Sequence, residues 1–324
     1  MKFQETQEFK EVLEKTYKNC EGCYVTFEEN ETPFFLVKSK IFGEKIINVP
    51  FFDTGSLPAD LSKKNIKKIK EKFVDSPRVE IRMDDSFENF ENIKKSLVEE
   101  GFESNENKHQ MVIHLKQKEE MWNQFHKHTR NDVRKSEKSG LTIKPIKEVV
   151  ELKKFYKLYL REMKNFGTPQ HSFSFFRNFL EIMRENFLGL NCYYNKELAG
   201  AIILFYDSEE AYLGFNVSNI HFREYRPNDK LYWEMMKFCI EKKIKKISLG
   251  QVDLDSEDPR AKGLYKFKAK WLSVPVKRVY FNYPKEEDQN QKKESMKKFR
   301  SVWKRLPLWM VRIVGPKIES QLGI

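Results

Sequence analysis

Three short runs of apolar, β-branched and aromatic residues, Leu188–Tyr194, Leu198–Tyr206 and Ala211–Phe215, follow one another with only the polar links Asn195–Glu197 and Asp207–Glu210 between them. Links this short join antiparallel neighbours and cannot hold a crossover, so the sequence predicts a three-stranded meander in the second half of the chain. Helical periodicity brackets it. Upstream, a predicted helix over 147–165 carries Leu152, Phe155, Tyr156, Tyr159 and Met163 on one stripe, and a second over 172–187 follows the loop Gly167-Thr168-Pro169. Downstream, Pro227 and Asn228 open a helix with Leu231, Met235 and Cys239 at four-residue spacing, and Ile244–Leu249 reads as a buried strand ending at Gly250.

The rest of the chain is equally mixed. A helix is expected over 3–18, strands at Cys23–Phe27, Phe34–Val37, Ile41–Val49, Arg78–Arg82 and Met111–Leu115, and helices at 60–74 and 86–100, the last with Phe90, Ile93 and Leu97 on one face. The basic stretch WNQFHKHTRNDVRKSEKSG predicts a single helix stopped by Gly140. After the acidic loop QVDLDSEDPRAKG come a short helix through GLYKFKAKW and a strand at Val276–Tyr283. At roughly 100 to 200 residues per domain, 324 residues make two domains. The expected division is a first domain over 1–118, with 299–324 available to complete it, a second over 119–284, and a charged linker with an amphipathic end over 285–324. The fold class is α/β (α+β).

Composition narrows the function. Sixty basic against 48 acidic residues give a net charge of +12, and 40% hydrophobic residues with 27 Phe and 13 Tyr exclude a disordered chain. No window reaches the roughly 18 consecutive apolar residues of a membrane span, and the first twenty residues lack the apolar run of a secretory signal, so a cytoplasmic protein is expected. Cys20 and Cys23 form a CxxC without the second pair a zinc ribbon needs, and free thiols are expected. His126 and His128, two apart on a predicted helix, should point to different faces, so no metal is expected. GxSxG, P-loop and GxGxxG motifs are absent. The lysine-rich runs 63–72 and 292–305 fit either polyanion binding or solvated helix faces. The closing segment, with Trp303, Leu306, Trp309, Met310 and Ile313 among Lys304, Arg305, Arg312 and Lys317, fits either an anionic membrane surface at the inner face of the membrane or packing against the first domain.

The order helices, antiparallel strands, Pro227-Asn228 helix, strand is similar to the acyltransferase fold called GNAT. Acyl-CoA members of that fold cradle pyrophosphate on a turn of form [QR]xxGx[GA], because close backbone approach needs glycine. The matching residues here, Arg223-Glu224-Tyr225-Arg226-Pro227-Asn228-Asp229, hold no glycine and place an acid at the helix start. Acyl-CoA is therefore disfavoured as donor. Trp122 with Arg130-Asn131-Asp132-Val133-Arg134-Lys135 and Gly140 resembles the opening of the catalytic-side domain of Fem-type transferases. Gly167-Thr168-Pro169, Arg226-Pro227-Asn228 with Leu231, Trp233 and Met236, Leu249-Gly250, and Gly263-Leu264-Tyr265-Lys266-Phe267-Lys268 look like that family's later motifs. The resemblance spans about 120–283, and it implies a second GNAT-like domain before 118, both with mixed, mostly antiparallel sheets flanked by helices.

Fem transferases join an amino acid, delivered as an aminoacyl-tRNA ester, to an amino group of a cell-wall precursor. The resemblance implies an aminoacyltransferase of envelope biogenesis with charged tRNA as donor, an envelope or surface-polymer precursor as acceptor, and no bound cofactor. It places the family's Phe-Lys motif on Phe267 and Lys268. Lys268 would stabilise the oxyanion formed at the ester, an effect of about 3 to 4 kcal/mol, and Phe267 would shape the aminoacyl pocket. Thr168, Arg226, Asn228, Trp233 and Tyr265 are the matching candidates for substrate contact. Arg130 and Arg134, four apart on one helix face, suit phosphates of a tRNA end or a nucleotide-linked acceptor, with pairing to Asp132 or Glu137 as the other reading. Asp253, Asp255 and Asp258 either take the amine proton or face water. Two further readings stay open: a non-catalytic GNAT-like module that binds RNA or an anionic envelope precursor, and an acyl-CoA-dependent N-acetyltransferase.

Overall fold

A computed structural model of the protein describes residues 2–27, 30–41, 43–52, 55, 57, 61–74, 76, 78–284 and 299–322. The linker residues 285–298 lie outside them. In chain order the elements begin with α1 (Gln7–Thr16), β1 (Cys20–Phe27), β2 (Asn30–Ser39), β3 (Gly43–Ile47), α2 (Lys63–Lys72), β4 (Val79–Asp84), α3 (Phe90–Glu99) and β5 (Glu103–His114). Then come α4 (Lys118–Gln124), α5 (Lys127–Lys138), β6 (Thr142–Pro145), α6 (Val149–Phe166), α7 (Phe173–Ile182), β7 (Phe187–Tyr194), β8 (Glu197–Tyr206) and β9 (Glu210–Ser218). The chain goes on through α8 (Pro227–Glu241), β10 (Lys246–Val252), α9 (Pro259–Ala269), β11 (Ser273–Tyr283) and α10 (Leu308–Leu322), with residues 299–305 also helical.

The basic helix expected over 122–138 is broken in two. Phe125 and His126 are extended (ψ 139° and 148°), and Phe125 turns inward to 2% exposure, its ring edge-on to Trp233 and Trp271. Burial of an aromatic ring outweighs the helix propensity of a polar stretch. His126 then caps α5, its Nδ1 accepting from the His128 N–H, which brings the two rings within 5.0 Å. The expectation that these rings diverge fails because position 126 is not helical.

The chain divides into two compact units. The amino-terminal unit comprises 4–108, 163–175 and 276–324, and the central unit comprises 1–3, 109–162 and 176–275. The division therefore falls at 108/109, inside β5, where a boundary was expected at 118. β5 is longer than the predicted Met111–Leu115 because its first half, ESNENKH, has no apolar alternation to announce a strand.

In the amino-terminal unit the strand order is β1-β2-β3-β4-β11, antiparallel except for the β3–β4 pair (Ile46↔Val79). Alternate residues Val79, Ile81, Met83, Val279 and Phe281 face a core shared with Ile66 and Ile69 of α2 and Ile93 and Leu97 of α3. Their intervening neighbours Glu80 and Arg82 are buried too, and Glu80 joins Lys45 (2.9 Å) to Arg82 (2.6 Å). The CxxC lies on β1, and burial pushes the thiols of Cys20 and Cys23 up to about 12 and about 11. Both are free thiols.

In the central unit the order is β5-β10-β9-β8-β7-β6. The predicted meander forms β7, β8 and β9, with a bulge at Ala199, where Cys192↔Gly200 is followed by Tyr193↔Leu198, and a second where Ile203↔Phe215 is followed by Leu204↔Leu213. The bulged residue of the second, Gly214, has Phe205 so close that a Cβ would stand 2.7 Å from its ring. α8 packs on this sheet through Leu231, Met235 and Cys239, as its spacing predicts.

Candidate active site

Parallel pairing of β10 with β9 lasts for three positions, Lys246↔Glu210 to Ser248↔Tyr212, after which the two strands run on without pairing to each other. On its other side β10 changes register against β5 between Ser248 and Gln251, and Gly250 takes φ +75°, a conformation costly for any residue with a side chain. This kink delivers two carbonyls to one cation. The ammonium of Lys268, on α9, donates to the carbonyl oxygens of Gly250 (3.1 Å) and Gln251 (2.9 Å), and the residue is 6% exposed. α9 is held at its start by Asp258, whose carboxylate accepts from the N–H of Arg260 (2.9 Å) and from its guanidinium (2.8 Å). Those bonds hold the Asp258 carboxyl down at about 2, so it serves the cap, whereas Asp253 and Asp255 are exposed.

Beside Lys268 stands an aromatic wall. Phe267 meets Tyr232 edge to face (5.0 Å), Tyr232 stacks on Trp271 (5.4 Å), and the Tyr232 hydroxyl accepts from Asn216 Nδ2 (3.3 Å). Burial raises the Tyr232 phenol above its ordinary value, keeping it neutral. Asn216 Oδ1 and Trp271 Nε1 are buried without a hydrogen-bond partner among the described residues. Sequence reasoning missed all three. Tyr232 lies between Leu231 and Trp233 in a helix whose plain signal is its apolar stripe, and Asn216 stands just past the apolar run Ala211–Phe215.

The start of α8 is closed electrostatically. Arg226 is the N-cap at φ +62°, and its carbonyl accepts from the N–H groups of both Asp229 and Lys230. Asp229 is buried, so its carboxyl pKa is raised by desolvation against the opposing pull of Lys270. The Lys270 ammonium bonds Asp229 and reaches Asp132 (3.2 Å), and Asp132 also meets Arg226 (3.4 Å). Two cations and two anions balance where the helix dipole is positive. Asn228 Oδ1, next to them, is buried with no hydrogen-bond partner among the described residues.

The other predicted residues fall in different places. Trp233 is buried against Trp122 (5.3 Å) and Phe125, so it serves the core. Arg134 lies over the Trp122 ring at 5.5 Å, Arg130 is half-buried on the same helix, and Asp132, a suggested partner of both, is engaged by Lys270 and Arg226. Tyr265 is half-buried on α9 against the core. Thr168 belongs to the amino-terminal unit, exposed, and its N–H closes α6 on the Met163 carbonyl (3.0 Å). No group of three His, Cys, Asp or Glu suited to a metal occurs among the described residues. A cavity of about 570 Å³ opens at the far end of α8, lined by Glu120, Ile240, Lys243 and Lys245, and holds none of these residues.

Residues 123–268 match the family model described as an acetyltransferase (GNAT) domain, a span that runs from α4 to Lys268. Among solved structures, FemX matches with a TM-score of 0.71 at 14% identity over 91% of this chain and 94% of that one. L-PGS from Bacillus licheniformis matches with 0.60 at 10% identity over 93% and 98%, and a tandem GNAT protein from the clavulanic acid biosynthesis pathway with 0.51 at 10% identity over 83% and 84%. No curated protein matches the sequence. The central unit is thus built on a GNAT acyltransferase domain. Across nearly its whole length the chain has the fold of FemX, beyond the 120–283 over which its motifs carry the resemblance.

Proposed function

We propose that this protein is a Fem-like N-acyltransferase that moves an aminoacyl group from aminoacyl-tRNA to an amino group of a cell-envelope or surface-polymer precursor. The observation that carries the reading is Lys268: a buried ammonium, fixed by the kinked end of β10 where β9 and β10 part. In the proposed reaction the acceptor amine attacks the ester carbonyl and loses its proton, the C–N bond forms, and the C–O bond to the terminal ribose breaks with that oxygen taking up a proton. Lys268 stabilises the oxyanion between those events, and Phe267 and Tyr232 form the wall of the aminoacyl pocket. The choice of donor is supported by the start of α8, where a pyrophosphate would meet Asp229 and N–H groups already bonded to Arg226. The FemX fold supports the class of acceptor.

Transfer from charged tRNAs onto envelope-precursor amines, followed with radiolabelled amino acid, tests the reading. The expected result is transfer by the wild type and a fall of about 10²- to 10³-fold in Lys268→Met, the usual loss of one oxyanion donor. Undiminished transfer by a folded Lys268→Met removes the assignment of this lysine. The acetyltransferase reading predicts instead saturable binding of acetyl-CoA by calorimetry.

A further inference from the structure

Helix α10 belongs wholly to the amino-terminal unit and has two faces of opposite use. Its inner face is seated. Val311 is fully buried, and Gly315 lies so close to Gln170 that a Cβ there would collide with the amide. Gln170 Nε2 donates to the Val311 carbonyl (2.7 Å), and Glu319 accepts from the Tyr17 hydroxyl (3.2 Å) and lies 3.1 Å from His171 Nδ1.

The outer face consists of positions 309, 312, 313, 316 and 317, the spacing of a single helical stripe. Trp309 is 65% exposed and Ile313 56%, with Arg312 and Lys317 exposed between and beyond them and Arg305 exposed four residues before Trp309. Over 299–322 the one acid is Glu319, and it is turned inward. Packing of the inner face leaves this stripe, two large apolar side chains within a row of cations, with no partner among the described residues.

We propose that the outer face of α10 docks the protein on an anionic lipid surface, the helix lying in the plane of the headgroups with Trp309 and Ile313 inserted below them. The composition fits that occupant and argues against others. A tryptophan at the level of the headgroups can bury its ring and keep its indole N–H wet, while Arg305, Arg312 and Lys317 meet phosphates above. A second copy of the same face would set like charges against like. A nucleic acid would engage the cations and leave Ile313 in water.

Docking is tested by co-sedimentation of the full chain with mixed phosphatidylglycerol–phosphatidylcholine vesicles and with phosphatidylcholine vesicles alone. Neither donor nor acceptor of the transfer reaction is present, so the outcome is independent of that reading. The wild type is expected to bind the mixed vesicles, to bind less as salt rises, and to show a blue shift of tryptophan emission. Trp309→Ser with Ile313→Ser should lower partitioning by about tenfold, because insertion scales with buried apolar area. Arg312→Ala should lower it for the mixed vesicles alone. These side chains are exposed, so thermal melting should stay that of the wild type and report a folded protein. Absence of binding to mixed vesicles at physiological salt overturns the proposal. So does binding by the Trp309→Ser, Ile313→Ser variant equal to the wild type, as does displacement from vesicles by tRNA that depends on Arg312 but not on Trp309.

Discussion

Lys270 should matter to stability, outside the proposed chemistry. It neutralises Asp229, which is buried, and Asp132, so Lys270→Met leaves a buried carboxylate without its cation and should cost about 3 to 5 kcal/mol. Adding Asp229→Asn should return much of it, a coupling that a double-mutant cycle in denaturant reads directly. A second carboxylate ties stability to pH. Burial alone would raise Glu80, but Arg82 and Lys45 overcome it and hold it at about 2. A depressed carboxyl contributes stability that is present above its unfolded value and lost as pH falls through the folded one. The wild type should therefore lose stability between the ordinary carboxylate range and pH 2, and Glu80→Gln should flatten that slope while lowering stability at pH 7. At this scale the sequence was informative only where a motif marked a residue. Phe267 and Lys268 became candidates that way, whereas nothing about Asn216 or Tyr232 distinguishes them from other polar and aromatic residues until β9 and α8 set them against each other.

Elements were legible where the pattern is local. The meander β7–β9 and helix α8 announce themselves by alternation and by Pro227, and the three meander strands run one to three residues past their expected ends. The polar half of β5 and the break between α4 and α5 were not legible, since one is held by ladder pairing and the other by burial of Phe125, both tertiary causes. Phe125→Ala should cost about 3 to 5 kcal/mol in chemical unfolding, as emptying a core site of an aromatic ring does. The kink in β10 makes a different forecast. Gly250→Ala forces a side chain into φ +75°, so it should destabilise by about 1 kcal/mol or somewhat more, and it should reduce transfer out of proportion by moving the carbonyls that hold Lys268.

At the scale of the whole molecule, the net charge of +12 predicts RNA binding that weakens steeply with salt. Arg130→Ala and Arg134→Ala should each reduce the slope of log K against log salt by roughly 0.7 to 0.9 if the side chain meets a phosphate. Filter binding of charged tRNA across a salt series measures it, and slopes unchanged by both substitutions place the donor's phosphates elsewhere. Arg134→Ala also removes the cation–π contact with Trp122, a loss that falls on the stability of the free protein. The passage of the chain from one unit to the other inside β5 has a consequence for synthesis. The central unit has all its residues once 275 is made, while the unit that begins at Gln4 still lacks β11 and α10. At roughly 5 to 20 residues per second a few seconds separate the two, so the part translated first is finished last, and during that interval β4 has an open edge waiting for residues not yet made.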